Sequence, residues 1–238
     1  MAILNLDIRI PKGLSSITLE QYQRYMEVSK EVPEEDNTNE FLNLKALEIF
    51  CGVSLKDGYN LPMSLFESVL VQLAECFEEK PEFVQRFNLT DSAGKTVEFG
   101  FIPKLDDISL GEYIDLEAYI TDWSKMHKAM AVMYRPIVAG KRGKYVIEDY
   151  EGSEKWADVM KDAPVNIAMG AMVFFYHLGK TLSKYMTAYL MEEAKAEENT
   201  LLRQALGENG DGTSHFMHLQ EAIYNELTQS QKFHYIKP

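Results

Sequence analysis

The sequence predicts an α+β fold that is predominantly helical, and three observations carry that expectation. Apolar residues recur at helical spacing through most of the chain. Two short alternating segments around "DSAGK" have the period and the glycine turn of a β-hairpin. A start signal is also written twice: "IPKGLSSITLEQY" at 10–22 returns as "IPKLDDISLGEY" at 102–113, with seven of twelve positions identical once Gly13 is set aside. The expected architecture is two related strand-plus-three-helix units, a small β-hairpin and a long C-terminal helical arm. The boundaries fall at 1–84, 85–192 and 193–238.

Taken in order, residues 2–10 alternate and are rich in isoleucine and leucine, which predicts a strand stopped by Pro11. Thr18 with Gln21 three residues on is a capping-box pattern, opening a helix to about Lys30. A second helix is expected over about 38–51, with Leu42, Ala46, Ile49 and Phe50 on one face and Gly52 as its stop. The stretch "SLKDGYNLP" reads as a loop. Pro62 then precedes a third helix with the stripe Leu65, Val69, Leu70, Leu73 and Phe77, closed by Pro81. The hairpin pairs 86–90 with 96–102. In the second copy Pro103 stops the strand and Ser109 with Glu112 repeats the capping box. Helices follow over about 109–120 and about 122–134, the latter ended by Pro136. Residues 138–161 form an excursion with a short strand pair and a helical turn. Asp162 and Pro164 open a long helix toward Leu206, in which Gly170 and Gly179 each cost about 1 kcal/mol relative to alanine. A last helix is expected over about 214–231.

Composition narrows the function classes. A chain of 238 residues buries enough surface to need no disulfide or metal staple, and Cys51 and Cys76 sit inside apolar helical patterns as packed thiols. "MAILNLDIRI" lacks the apolar run of a secretory leader. Twenty-four basic against thirty-seven acidic residues, a net charge of −13, argues against nucleic acid as the main partner. The strongest basic patch is "GKRGK", with Lys141, Arg142 and Lys144, a loop that could touch an acidic partner. The longest apolar run, 165–179, holds Asn166 and His177 and falls short of the ~20 residues a bilayer crossing needs. It reads as a buried helix, and no membrane partner is expected.

The chemical motifs are sparse. His215, His218 and Glu221 share a helical face, but zinc sites usually need a third or fourth strong ligand, and no His-Glu-x-x-His is present. "HLGKT" at 177–181 holds a Gly-Lys-Thr, yet Phe174 stands where a phosphate loop requires glycine. "ENGDG" lacks the acids of a calcium loop. Glu112 and Asp115 invite a paired-carboxylate reading, although Glu112 already has a capping role and Asp115 suits the first turns of a helix. No nucleophile arrangement is recognisable, so no catalytic residue, metal or cofactor is expected. Methionines crowd the second half: Met126, Met130, Met133, Met160, Met169, Met172, Met186 and Met191. Most read as core fillers. Met186 and Met191, with Tyr185, Tyr189, Leu201 and Leu202 on the more polar stretch, are the interface candidates.

The stretches "VEFGFIPKLDDISLGEYIDLEAY", "MHKAMAVMYRPI" and "DAPVNIAMGAMVFFYHLGK" resemble proteins that tailed bacteriophages encode among their virion-morphogenesis genes. The resemblance covers about 97–184. It implies a tail-assembly chaperone, or a structural component of head–tail connector, baseplate or capsid, with tape-measure, tail-tube or baseplate proteins as partners. It implies no cofactor, a location in the host cytoplasm during assembly or in the virion, and leaves homo-oligomerisation open. Two other classes compete: a small hydrolase or metal enzyme using Glu112, Asp115 or His215 and His218, and a regulator that binds a host protein.

Overall fold

In the computed structural model, which describes residues 8–31, 39–104, 108–141, 144–177, 221 and 223–225, the first copy of the doubled signal starts a helix through local hydrogen bonds. Helix α1 (Leu19–Glu31) opens behind Thr18, whose N–H donates to Gln21 Oε1 (3.0 Å) while the Gln21 N–H donates to Thr18 Oγ1 (3.2 Å). Two orphan donors are thereby satisfied reciprocally. Of the strand expected over 2–10, only 8–10 are described. They lie outside any strand, and the Arg9 N–H donates to the Cys51 carbonyl (3.4 Å). Helix α2 (Asn39–Cys51) stops before Gly52, which has φ +71°. The stretch expected as a loop instead carries a short helix, α3 (Leu55–Tyr59), because Ser54 accepts from the Asp57 N–H as an N-cap. Helix α4 (Met63–Phe77) follows Pro62 and buries Val69, Leu70, Leu73, Cys76 and Phe77. Leu65, expected on that stripe, is exposed.

The hairpin forms as predicted, from β1 (Arg86–Thr90) and β2 (Thr96–Phe101). The second capping box then opens α5 (Leu110–Tyr119). A 3-10 turn at Trp123–Lys125 leads into α6 (Met126–Met133). The helix ends close to the expected 134 and the strand pair expected within 138–161 forms, but the chain reaches the strand earlier than expected. It passes directly into a strand, β3 (Tyr134–Lys141), which pairs back with β4 (Lys144–Ile147). The hairpin is therefore half of a four-stranded antiparallel sheet in the order β1-β2-β3-β4. Pro136 sits inside the sheet opposite Phe99, and its carbonyl accepts from the Glu148 N–H (2.8 Å). An irregularity between Ile137 and Ala139 bends the β3–β4 hairpin. Tyr145 lies across Gly100 and donates from its hydroxyl to the Phe101 carbonyl (2.6 Å).

After β4 come α7 (Glu154–Met160) and α8, whose described part is 165–177. The start of α8 is tied to the start of α1: the Leu19 N–H donates to the Ala163 carbonyl (2.8 Å) and the Val165 N–H to the Ile17 carbonyl (2.9 Å). The two expected units therefore share one hydrophobic core, running from Leu14 and Tyr22 through Phe99 and Trp123 to Met172. Met126, Met130, Met133, Met160, Met169 and Met172 are all buried in it. Ile223 also belongs to this core, and the Tyr224 ring lies tilted beside that of Tyr176 (5.5 Å between centroids). A piece of the predicted arm thus packs onto the body. Both cysteines are free and buried. Burial, with the neighbouring Cys76 thiol, pushes Cys51 up to about 11. No helix among the described residues is long and apolar enough to cross a membrane.

Candidate functional site

A connected polar cluster lies where α5 meets β3 and the segment after β4. Ser109 caps α5, accepting from the Glu112 N–H (3.3 Å), while its own N–H donates to Glu112 Oε2 (2.7 Å). That leaves Glu112 Oε1 pointing at β3, where Arg135 Nη1 approaches to 2.5 Å. The contact is a close ion pair, and Arg135 Nε finds no hydrogen-bond partner among the described residues. Both side chains are more than nine-tenths buried. The sheet register places Arg135 opposite Gly100, on the face that Tyr145 covers.

Around this pair, the Tyr150 ring faces the Arg135 guanidinium (5.3 Å) and the Tyr150 hydroxyl donates a short hydrogen bond to Asp115 Oδ2 (2.5 Å). Glu148 accepts from Lys155 Nζ and from Trp156 Nε1, both at 2.7 Å. Burial pushes the Glu112 carboxyl up, but hydrogen bonds from the Ser109 hydroxyl and N–H, with the Arg135 guanidinium, outweigh it. They hold Glu112 below the usual carboxylate range. Glu148 is likewise lowered: burial opposes, while Lys155, Trp156 and Arg135 prevail. Tyr150 is raised, first by burial and then by Asp115. A general acid–base works best with a pKa near the operating pH, and the two glutamates are displaced the other way. Chemically the arrangement is an ionised clamp fastening α5 and the 148–156 segment to the sheet.

Sequence reasoning named Glu112 and Asp115, and the structure brings both to this cluster. It missed Arg135, Glu148 and Tyr150. The signal for Arg135 was a lone cation in "VMYRPIV", a setting in which a charge is buried only if it is paired. The other predicted positions do not meet there. Lys144 begins β4 with an exposed side chain, and Lys141 ends β3. Arg142, Tyr185, Met186, Tyr189, Met191, Leu201, Leu202, His215 and His218 lie outside the described residues, and Glu221 is exposed on a helical stretch. His177, the first residue of "HLGKT", is still helical, as is Phe174. Among the described residues no group of three histidine, cysteine or acidic side chains could hold a metal ion.

No family model, curated protein or solved structure matches this chain.

Proposed function

We propose that this chain is a phage assembly or structural protein that works by binding other viral proteins, most directly in tail assembly. Its partners would be proteins of tape-measure, tail-tube or baseplate type. The resemblance over 97–184 supports this reading, and one structural observation carries it. The elements held together by the Glu112–Arg135 clamp present large apolar side chains to solvent: Leu110 (75% exposed) and Ile114 (53%) one turn apart on α5, and Val138 (61%) and Val146 (58%) on the bent hairpin. A fixed scaffold with outward apolar side chains suits recognition of another polypeptide. The polar cluster beneath stiffens that scaffold and is not asked to react.

The test is co-purification from infected cells. Wild-type protein is expected to bring down a viral structural protein, and the surface changes Leu110→Asp with Ile114→Lys, or Val138→Lys with Val146→Glu, to lose it while keeping the wild-type unfolding midpoint. Blotting purified particles against whole lysate then separates a component that stays in the virion from a chaperone that leaves. Unchanged capture by both surface variants would remove this reading.

A further inference from the structure

We propose that Gln23 and His127 form a proton-sensitive joint between α1 and the second half of the molecule. The geometry rests on one amide nitrogen. Gln23 Nε2 lies 2.6 Å from the Trp123 carbonyl oxygen and 3.0 Å from His127 Nδ1. The Trp123 carbonyl can only accept, so it requires the nitrogen of the Gln23 amide rather than the oxygen. The second hydrogen of that NH₂ group then points at Nδ1, which must offer a lone pair. His127 is therefore neutral with its proton on Nε2. Protonation at Nδ1 would set an N–H against an N–H, and turning the amide over would set its oxygen against the Trp123 carbonyl. Neither arrangement keeps both contacts, so an added proton breaks at least one of the two bonds by which Gln23 ties α1 to the Trp123 turn and α6.

The surroundings also oppose the charge. Burial disfavours the imidazolium most, then Lys161 just past α7 and Lys128 on α6. Asp158 and Glu154 of α7 favour it but lose to these. Both acids are already paired, Asp158 with Lys161 and Glu154 with Lys128. On α1, Lys30 faces Asp122 (3.9 Å) and Glu20 acts on Lys161. On α5, Tyr119 faces Lys128 (5.7 Å). The unfolded chain binds the proton at about pH 6.5, whereas the folded joint binds it only at lower pH. The joint's contribution is therefore complete above about 6.5 and is lost as pH falls toward the folded-state value.

Long-range proton–nitrogen NMR on the full chain reads this directly. The expected result is an Nε2–H tautomer at neutral pH and a His127 titration midpoint below about 6.5, which moves up toward that value in Gln23→Met. His127→Asn, which keeps an acceptor in place of Nδ1 and cannot titrate, is expected to fold as the wild type at neutral pH. It should lose less stability between about pH 7.5 and about pH 5.5. An Nδ1–H tautomer at neutral pH, or a midpoint indifferent to Gln23→Met, would overturn the proposal even if His127→Asn failed to fold.

Discussion

Glu112 shows how far one residue's role depends on partners its neighbours do not announce. As a capping residue it is readable from Ser109 three positions earlier, since the bonds close within one turn. As half of an ion pair it depends on Arg135, on another element, and that contact changes what its loss would do. Glu112→Ala removes the carboxylate's half of the capping box and leaves a buried guanidinium without its counter-charge, so a destabilisation of about 3–5 kcal/mol is expected by chemical denaturation. Replacing both members with apolar residues, Glu112→Leu with Arg135→Met, is expected to recover most of that, less about 1 kcal/mol for the lost bond to the Ser109 N–H. The depressed carboxyl fixes the pH sign. Its contribution is present above about pH 4.3, the ordinary glutamate value, and is lost as pH falls through the lower folded-state value. Glu112→Gln should therefore unfold with a shallower acid limb than wild type.

Among the elements, the clearest are those whose determinants are local. α1, α5 and the β1–β2 hairpin carry their own caps and turn. β3 does not: the unbroken apolar run from Ala129 to Tyr134 crosses the helix–strand boundary, and periodicity does not mark where one gives way to the other. The switch at Tyr134 comes from pairing with Phe101. Two glycines mark where such pairing and packing demand close approach. A Cβ on Gly100 would come within 2.5 Å of the Tyr145 ring and 2.9 Å of Ile137. Gly100→Ala is thus expected to cost about 1–3 kcal/mol by overpacking and to shift the Tyr145 signals in an NMR spectrum. A Cβ on Gly170 would overlap the Glu82 carbonyl. Helix propensity alone would make Gly170→Ala stabilising by about 1 kcal/mol. The opposite sign is expected, because the obstacle is backbone, and thermal unfolding decides between them.

Across the whole molecule, the twin start signals lead to halves that are not independent. The paired beginnings of α1 and α8, the Gln23 bridge and the Tyr22–Trp123 contact (4.6 Å) run between them. Ile223 extends the shared core to the C-terminal segment. Ile223→Ala is expected to cost about 2–5 kcal/mol, and a chain truncated after residue 192 to unfold at lower denaturant than the full chain. An arm that only projected into solvent would leave both midpoints unchanged.

By itself the sequence determined the α+β class, the helix starts at Thr18 and Ser109, the first hairpin and the burial of the methionines from Met126 to Met172. Each of these follows from hydrogen bonds that close within a few residues or from apolar spacing along one element. The tertiary structure alone decided that the strand of the expected pair starts as early as Tyr134, that Glu112 meets Arg135, and that Gln23 meets His127 from 104 positions away. Those outcomes depend on which surfaces come within van der Waals reach, and spacing along the chain does not encode that.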